Sequence, residues 1–281
     1  MKDFGPSYGK RPWNAELCTR VCIAMEGHPP VLKNSPLQLA AIELRFPEAV
    51  FLPEDLKAIR RGLAEAYPVP GTEHGIGIEL TPEGTVRQQQ TTQRQVYRTI
   101  DSSHLVALTG TTLALEARGP QYEGFRHLLD RWLVALEAVV PVAEITTQLR
   151  LGLRYVNQLR VEDAEVGLDA VAGRINPALL SPSGAEGFEF RIATSFQELR
   201  LLQGDDGKAT LRHGLQVAPA GDAGLAGAYI LDLDYYDDRA LSFDRDQHVE
   251  QLRAFNHGIW ELFRWSLTSD EYESMEPEDR E

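Results

Sequence analysis

The chain has 281 residues, 43% of them hydrophobic and 25% charged, a composition typical of a globular protein with a sizeable core. Its 28 basic and 42 acidic residues give a formal net charge of −14, which argues against a broad nucleic-acid surface, because such surfaces neutralise phosphates with basic side chains. The apolar runs are too short to span a bilayer and no apolar signal-peptide core follows Met1, so we expect a cytoplasmic protein without a membrane partner.

Residues 1–36 are predicted to form a separate N-terminal arm that packs on the body of the protein or on a partner. Prolines interrupt this segment, and only residues 15–25 have apolar side chains at helical spacing. Cys18 and Cys22 are four residues apart and lack the additional ligands of a zinc site. We therefore expect reduced thiols, with no metal and no cofactor.

Residues 37–141 are predicted to form the first half of an α+β fold. A short strand leads into an amphipathic helix that begins after Pro53 and has an apolar side chain every three or four residues. Three strands and a second helix with a broad apolar face complete the unit. The predicted strands are 40–46, 75–80, 86–100 and 105–118, and the predicted helices are 54–67 and 122–140.

Residues 142–268 are predicted to form a second half of the same kind. The opening strand, 144–160, places Leu151 and Leu153 on one face and Arg150 and Arg154 on the other. The remaining predicted elements are a less regular helical stretch over 166–180, strands over 188–202, 208–218 and 227–236, and a closing helix over 246–267.

Both halves read β-α-β-β-β-α, which predicts an α+β protein with a curved, mainly antiparallel sheet backed by helices. Leu44-Arg45-Phe46 matches Leu153-Arg154-Tyr155 near the ends of the two opening strands, so this internal duplication should place Arg45 and Arg154 at equivalent positions. Residues 269–281 are acidic and poor in apolar side chains, and we expect them to form a flexible tail.

No catalytic signature is present in the sequence. The nucleophile elbow, the phosphate-binding loop, the zinc-protease motif and the kinase motifs are all missing, so no catalytic residue is predicted. The seven histidines are scattered, and we interpret His248 and His257 as surface or helix-end residues. The sequence favours a non-enzymatic function over an enzymatic one, but it does not exclude an enzyme.

An acidic run on the strand 227–236 is the first candidate site. Strand alternation turns Leu231, Leu233 and Tyr235 inward and Asp232 and Asp234 outward. Two carboxylates on one face can contribute to a Mg²⁺ or Ca²⁺ site. They are also what the polar face of any half-exposed strand carries, so both interpretations stay open.

Arginines on the two opening strands are the second candidate. Arg45, Arg150 and Arg154 should project from the same side of a shared sheet as Asp232 and Asp234. Arginine is well suited to a two-pronged grip on a carboxylate or phosphate of a ligand or partner. Cross-strand pairing with the two aspartates is the alternative, and it would only satisfy the polar face of the sheet.

Five segments carry a family resemblance. They are SPLQLAAIELRF (35–46), LVALTGTTLALEARGPQYEGFRHLL (105–129), GLRYVNQL (152–159), LDLDYY (231–236) and FNHGIWELFRWSLT (255–268). They resemble a sporadically distributed bacterial family of uncharacterised proteins, which has E-I-R-F-like opening, G-L-R-Y-x-N-like central and W/F-S-[IL]-T-like closing segments. The resemblance supplies no activity, and it implies an accessory role in a mobile or defence-type system.

Three functions follow as hypotheses. The leading one is a non-enzymatic binding or regulatory module that holds a protein partner, encoded nearby, or a small anionic ligand on the sheet face or between the halves. The second is a metal-dependent enzyme that uses Asp232 and Asp234. The third is an acidic protein that masks a basic surface of its partner.

Overall fold

The computed structural model describes residues 29–75, 78–80, 86–88, 92–161, 164–180, 192–203, 207–219 and 225–278. The helix predicted over 15–25, and most of the arm with it, lies outside the described residues. The α-helices are α1 (Pro53–Leu63), α2 (Phe125–Val139), α3 (Arg245–Ser266) and α4 (Ser269–Ser274). Three 3-10 helices cover Gly119–Gln121, Ala164–Val171 and Pro177–Leu179.

The strands follow the predicted β-rich pattern. They are β1 (Val31–Leu32), β2 (Leu37–Arg45), β3 (Val69–Gly75), β4 (Ile78–Leu80), β5 (Val86–Gln88), β6 (Thr92–Arg98), β7 (His104–Leu108), β8 (Thr112–Arg118), β9 (Thr147–Gln148), β10 (Arg150–Val161), β11 (Gln197–Gln203), β12 (Gly207–Pro219), β13 (Leu225–Asp237), β14 (Leu241–Ser242) and β15 (Pro277–Glu278).

A nine-stranded sheet forms the centre of the fold, in the order β11-β12-β13-β10-β2-β8-β7-β6-β3. Every pairing in it is antiparallel. The two opening strands, β2 and β10, pair with each other in the middle, so each half of the chain supplies one side of the sheet. The predicted α+β class, with two halves sharing one antiparallel sheet, is confirmed.

The helices pack on one face of this sheet. Alternate residues of the central strands, including Ile42, Leu44, Leu151 and Leu153, are buried there in a core that contains apolar side chains of α1, α2 and α3. The opposite face carries the charged side chains of the strands. We call it the open face.

The first half differs from its prediction between residues 105 and 118. That segment forms two strands, β7 and β8, which turn at Thr109–Thr111, where Thr109 N–H donates to the Thr112 carbonyl. Apolar alternation continues on both sides of Gly110, and this continuity hid the turn. A strand was also predicted over 86–100, in whole or part, and the described residues of that segment include β5 and β6.

In the second half, a strand was predicted over 188–202, but β11 begins only at Gln197. Residues 192–196 form no strand, and residues 188–191 lie outside the described residues. The helical stretch predicted over 166–180 consists of 3-10 helices rather than an α-helix. Gly167 adopts a φ of +72°, and a side chain there would meet the Ile192 carbonyl at 2.4 Å from its Cβ. This left-handed residue bends the segment back over the sheet.

The prediction of a flexible acidic tail is wrong for residues 269–278. They form α4 and β15, and Tyr272 and Met275 are buried. Arg174 holds Glu271 through two hydrogen bonds of 2.8 and 2.7 Å. Two well-placed apolar residues outweigh an acidic average composition, because one buried aromatic ring stabilises a fold by about 2 kcal/mol.

The two ends of the described chain meet. β15 pairs with β1, so that Val31 lies opposite Glu278, and Lys33 forms an ion pair with Glu278 at 2.8 Å. Residues 31–32 therefore belong to the body of the fold rather than to an arm. No helix of the described residues has both the length and the apolar character needed to cross a bilayer.

Candidate functional site

The five predicted site residues lie together on the open face. β10 pairs with β2 on one side and with β13 on the other, which places Arg150 opposite Arg45 and Arg154 opposite Asp234. Asp232 lies two residues before Asp234 on β13, and both side chains are on the same face. Together with Glu43, these residues form what we call the central ion-pair cluster: Glu43, Arg45, Arg150, Arg154, Asp232 and Asp234.

Arg154 and Asp232 form the most complete pair of the cluster. Nε and Nη2 of Arg154 donate to the two carboxylate oxygens of Asp232, each at 2.7 Å. The Asp232 side chain is 8% exposed, while that of Arg154 remains 46% exposed. The hydrogen bonds to Asp232 raise the pKa of the Arg154 guanidinium. A nearly buried carboxylate thus anchors a guanidinium that faces solvent.

Arg150 bridges three strands. Its Nη2 donates to both oxygens of Asp234, at 2.9 and 2.8 Å, and its Nη1 donates to Glu43 at 3.0 Å. The guanidinium also lies over the Tyr236 ring, with Cζ 4.8 Å from the ring centroid.

Gly152 makes the position of Arg150 possible. It lies between Glu43 and Tyr236 in the sheet, beneath the bridging guanidinium. A Cβ at Gly152 would come within 2.4 Å of the Arg150 Nη1. Gly152, the glycine of the G-L-R-Y segment, is therefore required, because a side chain there would occupy the space of the Arg150 guanidinium above β10.

The remaining members extend the cluster towards both sides of the sheet. Nε of Arg45 donates to Glu43 at 2.8 Å. On the other side, Arg212 reaches Asp232 at 3.6 Å and donates to Glu198 at 2.9 Å. The charges alternate in sign from β10 to β11, along Arg154, Asp232, Arg212 and Glu198, which is the arrangement that stabilises cross-strand pairs. On the other side of β10, by contrast, Arg45 lies directly opposite Arg150.

A separate ion network lies on the open face of the first half. Arg94 donates to Glu73 at 2.7 and 2.9 Å and to Glu116 at 3.1 Å, and Arg98 also contacts Glu73. These hydrogen bonds lower the pKa of Glu73. The two arginines of β6, Arg94 and Arg98, were visible in the sequence, but their partners lie on strands whose order could not be predicted from it.

The two aspartates are engaged as acceptors. All four carboxylate oxygens of Asp232 and Asp234 accept hydrogen bonds from Arg150 or Arg154, so guanidinium groups already compensate the charge of both carboxylates. Among the described residues, no three His, Cys, Asp or Glu side chains lie close enough together to hold a metal ion. The geometry is that of cross-strand ion pairs in which the Arg154 side chain remains about half exposed.

Two cavities, of about 390 and 370 Å³, lie away from the cluster. The larger is lined by residues near the joined chain ends, such as Asn34, Gln158 and Arg174. The smaller lies between α1 and β3. Neither contains a residue of the central ion-pair cluster.

A buried polar chain was missed in the sequence. Trp132 Nε1 donates to His248 Nε2 at 2.9 Å, and His248 Nδ1 lies 3.1 Å from the Gln148 side-chain oxygen. Gln148 in turn donates to Gln251 at 3.1 Å. Because the tryptophan N–H can only donate, His248 must carry its proton on Nδ1. Burial lowers the pKa of His248 to about 4.

The interpretation of His248 as a surface residue is wrong. Its position four residues before the buried Leu252, on the inner stripe of α3, was the available signal. The interpretation fits His257 better, which is partly exposed and lies 3.4 Å from Glu261.

A scan against protein-family models and a search of curated proteins find no match to this chain. The function is therefore argued from the site itself.

Proposed function

We propose that the chain is a non-enzymatic binding module that holds a protein partner on the open face of its sheet, over the central ion-pair cluster. The observation that carries this proposal is Arg154, a half-exposed guanidinium held in place by the nearly buried Asp232. Holding a side chain in one geometry before binding reduces the entropy that binding must overcome.

The donors left over on the cluster define the chemistry of the partner. A guanidinium has five N–H donors, and the hydrogen bonds of Arg154 to Asp232 use two of them. Arg45 uses one donor on Glu43 and is more exposed still. Unused arginine donors at the centre of the surface favour a partner that presents carboxylate side chains.

The dimensions of the open face favour a protein over a small ligand. Nine strands spaced by about 4.8 Å form a surface roughly 40 Å wide. A typical protein interface covers about 800 Å² on each partner, which such a face can supply. The Arg45 and Arg154 side chains are 56% and 46% exposed, so a small anion would find little enclosure beside them.

The family resemblance extends the proposal to the setting of the protein. We propose that the partner is encoded near this chain, and that the pair is accessory to a mobile or defence-type bacterial system in the cytoplasm. The net charge of −14 favours a protein partner over nucleic acid.

The test compares proteins captured from source-cell lysate by the wild-type chain, by Arg154→Lys and by Arg253→Lys. Lysine keeps a positive charge beside Asp232 but cannot reproduce the two-pronged grip. Arg253 is the matched control, because it is an exposed arginine on α3 paired with Glu250. We expect at least one protein that Arg253→Lys captures and Arg154→Lys does not.

A purified protein found in this way should bind Arg154→Ala about 2 kcal/mol more weakly than the wild type in calorimetry. If capture never depends on Arg154, the proposal is wrong. A rise in melting temperature with Mg²⁺ or Ca²⁺ that Asp232→Asn abolishes would instead favour the metal-dependent enzyme.

A further inference from the structure

Within the described residues, one edge of the nine-stranded sheet is open to pairing. β3, at one end of the strand order, contains Pro70 and Gly71, and proline cannot donate a backbone hydrogen bond to an added strand. β11, at the other end, contains neither proline nor glycine over its seven residues. Its outer edge pairs with no other strand of the described chain. An unpaired edge of this length is a template for another strand.

Large apolar side chains follow the same edge. Phe196 is 67% exposed, Leu199 36% and Leu202 80%. These three account for a third of the large hydrophobic side chains that are exposed in the described residues. Exposed apolar residues concentrated along the outermost strand of a sheet indicate a surface that is covered in the working state of the protein.

The sequence of β11 is complementary to itself. When two antiparallel copies meet with Leu199 opposite Leu199, Glu198 of each copy lies opposite Arg200 of the other. The same register places Phe196 opposite Leu202 and Gln197 opposite Leu201. Opposite charges and apolar side chains then pair across the interface, each twice, as a two-fold axis requires.

The neighbouring registers are worse. A two-fold axis at Arg200 would place the two arginines directly opposite each other, and an axis at Glu198 would do the same with the glutamates. Like charges in directly opposed positions destabilise strand pairing. The Arg200 side chain is 82% exposed and contacts Glu198 of its own chain at 3.1 Å, so it is free to turn to a second copy.

We propose that the chain forms a two-fold symmetric dimer in which β11 pairs antiparallel with β11 of a second copy, centred on Leu199, so that two nine-stranded sheets join into one. The helices of both copies then lie on the same face of the joined sheet. The surface is distinct from the central ion-pair cluster, which lies on β2, β10 and β13.

The first test is sedimentation velocity of the full chain. The wild type should sediment as a dimer that dissociates on dilution, and Leu202→Lys should raise the dissociation constant about tenfold or more, because it places a charge opposite Phe196. Ile100→Lys is the matched control, since Ile100 is 85% exposed in the turn before β7, and it should leave the dimer unchanged. A wild type that stays monomeric at roughly 100 µM, or a dimer that Leu202→Lys does not weaken, overturns the proposal.

The second test fixes the register by disulfide formation, with Cys18 and Cys22 replaced by serine. Leu199→Cys should cross-link to itself on mild oxidation, because the axis passes through this position. Gln197→Cys should not cross-link to itself, but it should cross-link when mixed with Leu201→Cys. Self-linking of Gln197→Cys that matches that of Leu199→Cys contradicts the proposed register.

Discussion

Asp232 depends on one arginine for most of its charge compensation. Its side chain is nearly buried, both oxygens accept from Arg154, and Arg212 lies farther away at 3.6 Å. Arg154→Ala should therefore lower the free energy of unfolding by about 2 kcal/mol, because it leaves a poorly solvated carboxylate. Urea unfolding measures this loss.

Arg45→Ala is the matched control for that measurement. Arg45 and Glu43 form a more exposed pair on the same face, and such pairs contribute at most about 1 kcal/mol. Asp232→Asn in the Arg154→Ala background should recover part of the stability, since it removes the uncompensated charge. Equal losses in Arg154→Ala and Arg45→Ala would show that Asp232 is well solvated in solution.

Gly152 can be tested through its neighbour. Gly152→Ala should displace the Arg150 guanidinium from Asp234 and Glu43, because the new Cβ would occupy the space beside Nη1. We expect a loss of about 1–3 kcal/mol in unfolding free energy, typical of overpacking. In Arg150→Ala the same glycine substitution should cost less, and a double-mutant cycle measures the difference.

His248 should make the protein sensitive to mild acid. Its pKa is about 4 in the folded chain, below the usual 6.5, so the unfolded chain binds the proton more tightly. The stabilising contribution of neutral His248 is therefore fully present above pH 6.5, and it is lost as the pH falls towards 4. Between pH 7.5 and pH 5, protonation of His248 should lower the free energy of unfolding by about 2 kcal/mol.

The measurement is urea unfolding at both pH values in the wild type and in His248→Gln. Burial also lowers the pKa values of His104 and His213, so some acid sensitivity should remain in the variant. His257→Gln is the control and should keep the full wild-type dependence. If His248→Gln loses as much stability between pH 7.5 and pH 5 as the wild type does, the prediction is wrong, because the pKa of His248 is then not lowered in the folded chain.

At the scale of the element, the segment after α3 is structural. Tyr272 of α4 packs edge-on against Trp260 at 5.7 Å, and the Arg264 guanidinium lies 4.0 Å from its ring centroid. Tyr272→Ala should cost about 3 kcal/mol, in the range for a buried aromatic ring. Deletion of residues 279–281 is the control and should be close to neutral. A deletion of 269–281 that leaves the melting temperature unchanged would contradict this placement.

The elements also show why sequence reasoning succeeded in some places and failed in others. The two opening strands and the helices α2 and α3 have long, regular apolar periods, and periodicity is the strongest sequence signal. The turn at Gly110 and the ordered α4 each depend on one or two residues. The segments around them, an alternating apolar run and an acidic stretch, indicate a different structure. The contact between Trp132 and His248 joins positions 116 residues apart, and no local pattern carries such information.

At the scale of the whole molecule, the three strands nearest the β2–β10 pair come in the same order on both sides of it, while β3, beyond β6, has no counterpart. β8, β7 and β6 follow β2 outwards, as β13, β12 and β11 follow β10. We predict that residues 40–140 and 145–267 superpose as one fold with Arg45 on Arg154. An experimental structure tests this match, and any other alignment of the two opening strands would contradict it.

The candidate site could be predicted only in part from the sequence. Alternation alone placed Arg150, Arg154, Asp232 and Asp234 on one face, because a strand has a fixed period of two. The choice of partners could not be predicted, since it depends on the register between β10 and β13 and on the space above Gly152. The burial of Asp232 beneath Arg154 is a property of the assembled sheet.

The β7–β8 hairpin of the first half is shorter than the β12–β13 hairpin of the second half, and this difference limits how many partners one chain can bind. Arg154 lies opposite Asp234 on β13, whereas Arg45 lies opposite Thr112 on β8. With the halves matched at these arginines, the position of Asp232 corresponds to Gly110, in the turn where the shorter hairpin of the first half has already ended. The first half therefore has no counterpart of the Arg154–Asp232 pair. Under the proposed function each chain should bind one partner, although its sheet is built from two similar halves.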